Sequence, residues 1–223
     1  MEFINLSDYS TVLILTILIA VACTVTGSVW IDYLYSKAPA DLLSFPSQIA
    51  ARAKYRKPLL FPLLVICIYK ACLTVTSPAL LYLITAVTFL CFVTVTDFEQ
   101  YVIFDAMLLP LAVIGFLYTM HIGLPLKEYI IAALGGGLLF FILAVLTKGA
   151  IGGGDIKLIA TMGLWLGIRP LLSVVTYGFI AGGLAALFLL ITKQKSRHSY
   201  FAYGPYFTLS GIGILLGWFR TIF

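Results

Sequence analysis

Two aspartates of this 223-residue chain have the placement that a pair of catalytic carboxylates needs. Asp97 directly follows the apolar run 80–96, and Asp155 lies in the segment GAIGGGDIK, at the start of a later apolar run. Two carboxylates that lie close together cannot both ionise, so the pair shares one proton. The ionised member then takes a proton from water, while the protonated member donates to a carbonyl oxygen. Such a pair can hydrolyse a peptide bond without a metal ion or a nucleophilic serine, but the two aspartates by themselves do not identify a protease.

The residues around this pair favour catalysis but leave a simpler interpretation open. Gly152 and Gly154 precede Asp155, and glycines let a chain turn tightly and let a second backbone approach, as an extended peptide substrate would. Asp97 could instead simply end a helix at a membrane interface, and Asp155 could be a helix N-cap. The sequence contains two histidines and no GxSxG or HExxH motif, so it offers few other catalytic groups.

The composition places these aspartates in a membrane protein. Hydrophobic residues make up 62% of the chain, charged residues make up 10%, and the mean hydropathy is +1.09. A soluble domain carries about 25% charged residues. Apolar runs of about 20 residues can span a bilayer as helices, which satisfy their own backbone groups. We therefore predict an all-α polytopic transmembrane bundle of about eight helices, near 11–34, 58–74, 79–96, 105–121, 129–147, 156–168, 171–192 and 204–222.

The basic residues predict an orientation. With the N-terminus outside, ten lysines and arginines fall on the cytoplasmic side and four fall outside, as the positive-inside rule requires. We expect a multi-pass protein of the cytoplasmic (inner) membrane, with Asp97 and Asp155 both at the cytoplasmic face. The net charge of +5 is explained by this bias, and no nucleic-acid partner is expected. The four cysteines lie in apolar runs without a CxxC pair, so no metal site is predicted.

One polar stretch, 35–57, divides the chain into two predicted regions. The region 1–78 contains this basic cytoplasmic loop, and the region 79–223 contains both aspartates. Prolines interrupt the first half of the loop, and its second half, 46–57, could form a short helix on the membrane surface. There its basic residues would meet anionic lipid. The alternative, favoured over a substrate-binding role, is a solvated loop that follows the positive-inside rule.

Several segments resemble one family over nearly the whole chain. GGGDIK at 152–157 matches the GxGD motif of the type IV prepilin peptidases, including Lys157 two residues after the aspartate. VTDFEQYVIFDAMLLPLAVIGF, from Val95, resembles their other aspartate segment. YGPYFTLSGIGILLG from Tyr203, GSVWIDYLYSK from Gly27 and AKYRKPLLFPLL from Ala53 are similar to further segments of these enzymes.

The resemblance implies a fold, an activity and a substrate. Family members are GxGD membrane aspartyl proteases that remove the short basic leader of type IV prepilins and pseudopilins, after a glycine, at the cytoplasmic membrane face. Asp97 and Asp155 match the catalytic pair, with Gly152, Gly154 and Lys157 as supporting motif residues. Proteolysis needs no cofactor, whereas many bacterial members also methylate the new N-terminus with S-adenosylmethionine.

The chain departs from the family pattern in two places. Phe104 stands where the family commonly has a proline, in the turn after Asp97. The first cytoplasmic loop has none of the four cysteines that many full-length members carry, so zinc is not expected there. The region that would support methylation is reduced to 35–57.

Acidic residues near the pair predict a substrate-binding rim. A basic leader would meet Glu99 and Asp105, with Asp32 and Asp41 nearby, at the cytoplasmic interface. The alternative is that Glu99 solvates its loop and that Asp105 caps a helix.

Three other functions stay open at this point. A transporter is also polytopic, but it usually places charges near the midplane on broken helices. A presenilin-like protease shares the GxGD chemistry and cuts within a spanning helix. An inactive paralogue would act in assembly. The sequence does not say which prepilin is cut, or whether it serves a pilus, secretion or DNA uptake.

Overall fold

The structure is a computed structural model that describes residues 6–39, 41–75, 78–149, 151–192 and 201–222, with side chains from residue 9 onward. Over these ranges all regular structure is helical. The elements are α1 (Leu6–Lys37), a 3₁₀ turn (Pro46–Gln48), α2 (Ile49–Ala53), α3 (Arg56–Thr74), α4 (Ala79–Gln100), α5 (Asp105–His121), α6 (Leu126–Leu146), α7 (Gly153–Leu166), α8 (Ile168–Ile191) and α9 (Gly204–Leu215). Apart from the five-residue α2, the eight helices correspond to the eight predicted runs, so the all-α bundle is confirmed.

Five of these helices are long and apolar enough to cross a bilayer. They are α1, α3, α4, α6 and α8. The other three are shorter: α5 has 17 residues, α7 has 14 and α9 has 12. A span needs about 17–25 residues, so α7 and α9 cross at most part of a bilayer. Asp155 therefore lies outside the five long spans, in the first turn of α7.

Helix α4 is the centre of the bundle. In its apolar window 61% of the residues are buried, against 28% or fewer in each of the other four long spans. It packs against α3, α5 and α9. Asp97, in the last turn of α4, is therefore held by the best-packed helix of the protein.

Helices α6 and α7 pack most closely, because a glycine lies in their interface. A Cβ placed on Gly163 would lie 2.5 Å from the backbone nitrogen of Ala133. Backbone atoms cannot move aside as the end of a flexible side chain can, so only glycine permits this approach. Helix α7 also packs against α5. These contacts set the position of the α7 N-terminus, where Asp155 lies.

The polar stretch 35–57, which begins at the end of α1, packs against α4. Its second half forms the 3₁₀ turn and α2, which corresponds to the short helix predicted within 46–57. Helix α2 packs against α4. The contact of this segment with lipid stays a prediction.

Candidate active site

Asp97 is enclosed where α4 meets α9. Its side chain is 6% exposed, and a Cβ placed on Gly204 would lie 2.5 Å from its Oδ2 atom. One turn earlier, the hydroxyls of Thr94 and Thr208 are hydrogen-bonded at 2.6 Å, which joins the same two helices. The end of α4 and the start of α9 therefore hold this carboxyl in place from two sides.

Asp155 lies in the first turn of α7, with Gly152 as the N-cap. Its side chain is half-buried, and this burial raises the pKa of the Asp155 carboxyl, while a backbone hydrogen bond from Gly152 acts in the opposite direction. The sequence alternative of Asp155 as the N-cap residue is therefore wrong, since that position belongs to Gly152.

The two aspartates line one cavity. It has a volume of about 220 Å³ and is lined by Leu42, Asp97, Tyr101, Val102, Ile103, Gly152, Gly153, Gly154 and Asp155. Oδ2 of Asp97 and Oδ1 of Asp155 are buried and have no hydrogen-bond partner in the protein. Buried polar atoms are normally paired, so two unpaired carboxylate oxygens at one cavity indicate a place for substrate or water.

The glycines before Asp155 act by leaving space. Gly152 has a φ of −71°, and neither Gly152 nor Gly154 is among the described glycines with positive φ, so neither is needed for a left-handed backbone conformation. Close approach does apply, because a Cβ on Gly154 would lie 3.0 Å from Cβ of Ile103. Gly152 is itself exposed at the cavity mouth.

Lys157 and Asp105 form an ion pair. The Lys157 Nζ atom lies 2.8 Å from both carboxylate oxygens of Asp105. Both side chains are exposed, so the pair contributes little to stability, about 0–1 kcal/mol. It nevertheless joins the first turns of α5 and α7, which begin on either side of the cavity. Asp105 lies at the surface, where the sequence predicted a contact for a basic leader.

Glu99 does not lie on an exposed rim. Its side chain is 4% exposed, and it accepts hydrogen bonds of 2.8–3.1 Å from Arg56 and one of 3.0 Å from the hydroxyl of Tyr35. Arg56, itself buried, also donates to Asp32 at 2.6 Å. The prediction that Glu99 lies on an exposed substrate-binding rim is therefore wrong. Its carboxylate is buried because it pairs with the buried guanidinium of Arg56.

Several residues near the pair were not singled out from the sequence. Leu42 and Ile103 form part of the cavity wall, and Arg56 organises the buried charges. Gly204 belongs to the segment that begins at Tyr203, which was noted in the sequence only because it resembles a segment of the prepilin peptidases.

Phe104, which replaces the family's proline, is the N-cap of α5 with a φ of −81°, close to the angle that proline would impose. The turn therefore keeps a proline-like backbone without proline.

No metal site accompanies the aspartates in the described ranges. No group of three or more histidine, cysteine, aspartate or glutamate side chains in them could hold a metal ion.

A bundle of apolar helices with two aspartates at one cavity has the groups that a membrane aspartyl peptidase would need. Comparison with known families agrees, because a sequence model described as the type IV leader peptidase family matches residues 83–187. The matched segment contains both aspartates. Over this segment the chain is therefore similar to the type IV leader peptidase family.

Curated relatives are similar to more than half of this chain. A prepilin leader peptidase/N-methyltransferase of Neisseria gonorrhoeae is 36% identical over 129 residues, which are 55% of this chain and 44% of the relative. Proteins with the same name from Aeromonas salmonicida (strain A449) and Aeromonas hydrophila are 30% and 28% identical, over 65% and 67% of this chain and 50% and 54% of the relatives. The chain thus spans about half the length of the curated relatives it matches. No solved structure matches the chain.

Proposed function

We propose that this protein is an aspartic endopeptidase that removes the short leader of type IV prepilin-like proteins at the cytoplasmic membrane face. One observation carries this proposal: Asp97 and Asp155 line the same cavity, and each has a buried oxygen without a partner in the protein. A peptide carbonyl and a water molecule placed there would meet both carboxyls. The region 79–223 supplies the pair, and 1–78 packs against it.

The helix termini suggest which carboxyl carries the charge. Asp155 lies in the first turn of α7, where the helix dipole stabilises an anion. Asp97 lies in the last turn of α4, at the negative end of that helix dipole, and is more deeply buried. We therefore assign the ionised form to Asp155 and the proton to Asp97, although the pair titrates as a unit.

The reaction follows from this assignment. Asp155 takes a proton from a water molecule in the cavity as the water oxygen attacks the scissile carbonyl carbon. Asp97 donates its proton to the carbonyl oxygen, which gives a neutral tetrahedral diol. Asp155 then returns its proton to the leaving amine as the C–N bond breaks, and Asp97 recovers a proton from the collapsing diol. No metal or other cofactor takes part in these steps.

The substrate class comes from the relatives and from the charge pattern. The relatives are named prepilin leader peptidases, and the segment matched by the family model contains both aspartates. With the N-terminus outside, the end of α4 and the start of α7 both face the cytoplasm, where a basic leader would remain after its apolar helix entered the bilayer. Asp105, which is exposed at the start of α5, is our proposed contact for the basic leader. We propose lipid headgroups as the contact for the basic segment 35–57.

Methylation is left out of the proposal. The relatives' names include N-methyltransferase. S-adenosylmethionine carries an adenosine, a carboxylate and a sulfonium, and its site needs several free polar groups. In the described part of 35–57, Arg52 donates to the α4 carbonyls of Phe98 and Glu99, and Gln48 pairs with Arg52. These residues do not form a site that fits the cofactor, and we derive no step through it.

Mass spectrometry of a prepilin co-expressed with this protein tests the proposal. We expect the pilin to lose the mass of its leader in cells that contain the protein, and not in cells that lack it. The same spectrum would show methylation of the new N-terminus as an added mass of about 14 Da, which is the mass of one CH₂ group. Full-length prepilin in both cultures, with the protein present in the membrane, would contradict the proposal.

A further inference from the structure

The segment 41–48 contributes one residue, Leu42, to the wall of the cavity that contains the two aspartates. It is held by successive backbone contacts to the end of α4: the Ser44 N–H donates to the Gln100 carbonyl oxygen at 3.1 Å, and the Phe45 N–H donates to Gln100 Oε1 at 2.9 Å. The Phe45 ring packs edge-on against Tyr101, with centroids 5.1 Å apart, and the Arg52 guanidinium lies 3.6 Å from the Phe45 ring centre. The segment is therefore fixed in place.

Leu42 is the side chain that this segment presents to the aspartates. Its neighbour Leu43 is 6% exposed and belongs to the core, whereas Leu42 is 49% exposed and lines the cavity with Asp97 and Asp155. A leucine left half exposed beside two buried carboxyls has no role in core packing. Contact with an apolar group that enters the cavity would remove its remaining surface from water.

The other lining residues limit how a peptide can lie. They include the glycine turn at 152–154, which leaves room for a backbone, and the apolar side chains of Val102 and Ile103. A peptide is cut in an extended form, in which successive side chains point to opposite sides. With its backbone along the glycines, a side chain flanking the scissile bond points towards Leu42.

We propose that Leu42 is a specificity-determining residue that contacts the side chain flanking the scissile bond and selects an apolar one. This inference rests on the proposed peptidase function and deepens it. The shape of a hydrophobic pocket discriminates between side chains that differ by one methylene by about 10- to 200-fold. Changing Leu42 should therefore change the order of preference among substrates, and not only the overall rate.

The first test compares substrates that differ only at the residues immediately before and after the scissile bond. For the full chain in detergent, Leu42→Lys should raise kcat/KM for an acidic flanking residue relative to an apolar one by about tenfold or more. Leu42→Ala should improve the relative kcat/KM for a bulkier residue. Leu59→Ala, at a leucine of α3 that is 50% exposed and away from the cavity, is the control and should leave the ratios unchanged. Unchanged ratios in both Leu42 variants would overturn the inference.

A second test does not depend on turnover. p-Benzoylphenylalanine in place of Leu42, combined with Asp155→Asn, should crosslink on illumination to substrate residues within about two positions of the scissile bond, since side chains in an extended chain repeat every second residue. The same photoreactive residue in place of Leu59 should not. Crosslinks from position 42 to distant substrate residues only, or none, would overturn the assignment of Leu42. Failure of the wild-type chain to cut any prepilin would instead contradict the proposed function, so the two failures are distinguishable.

Discussion

The backbone of Gly204 lies against the carboxyl group of Asp97. A Cβ at this glycine would lie 2.5 Å from Oδ2 and 2.9 Å from Cγ of the aspartate. The first residue of α9 thus limits the position of the Asp97 carboxyl, our proposed catalytic group at the end of α4. The relationship explains why a glycine outside the GGGD segment belongs to the site.

Gly204→Ala should inactivate the protein without unfolding it. The added methyl group would displace the Asp97 carboxyl, and a displacement of about 1 Å can lower the rate about 100-fold. We expect kcat for leader removal to fall by about that factor. The measurement is single-turnover kinetics of the purified variant, with its thermal unfolding recorded in parallel.

Gly183→Ala is the matched control, because a Cβ at this glycine of α8 meets nothing within 4 Å. It should keep wild-type activity. Normal activity of Gly204→Ala would mean that Asp97 does not need the position that α9 imposes on it.

The buried pair of Arg56 and Glu99 should be important for stability. Replacing Arg56 leaves the buried Glu99 carboxylate without its counter-charge, which destabilises a protein by about 3–5 kcal/mol. Replacing Glu99 should cost less, because Arg56 keeps its pairing with Asp32. Arg56→Met and Glu99→Gln should each lower the free energy of unfolding, measured by denaturant titration in mixed micelles. The double variant Arg56→Met with Glu99→Leu should lose less than the two single losses combined, because it leaves no unpaired buried charge between these positions. Additive losses would show that the two residues do not act as a pair.

Stability should fall as the pH rises, in part through Asp155. Burial raises the pKa of this carboxyl in the folded protein above its unfolded value of about 3.9. Its protonated form therefore favours the folded state below about pH 3.9, and this contribution is lost as the pH rises through the folded pKa. The melting temperature of Asp155→Asn should change less between acid and neutral pH than that of the wild type. Asp41→Asn, at an exposed site, should follow the wild-type slope. Parallel slopes for wild type and Asp155→Asn would contradict the burial of an ionisable group here.

Asp105 should matter for basic leaders more than for neutral ones. It lies exposed at the start of α5, paired with Lys157, and removing its charge leaves a lysine beside the cavity. Asp105→Asn should therefore raise KM for a leader rich in lysine and arginine, with a smaller change in kcat. Because the pair is exposed, the effect should be a few-fold and should weaken with salt. An equal change in KM for a leader without basic residues would show that Asp105 does not contact leader charge.

The sequence predicted the helices better than it predicted the surroundings of the site. Apolar length alone indicated the eight main helices, because each must satisfy its own backbone in a bilayer. Asp97 and Asp155 could be selected because ionisable groups are rare in such helices. The burial of Glu99 was missed, since it depends on Arg56, which is 43 residues away along the chain. Leu42 was missed for a similar reason. Its segment is held by hydrogen bonds from Ser44 and Phe45 to Gln100, and nothing in the local sequence indicates this distant contact.

The most direct test of the carboxyl pair compares the wild type with Asp97→Asn and Asp155→Asn. An amide can neither share nor transfer the proton that the mechanism requires. We would measure release of the leader from a purified prepilin, by intact-mass spectrometry, with each variant shown to be folded in the same detergent. The account predicts complete processing by the wild type and no detectable processing by either variant. Processing by either variant at a rate near that of the wild type would contradict it.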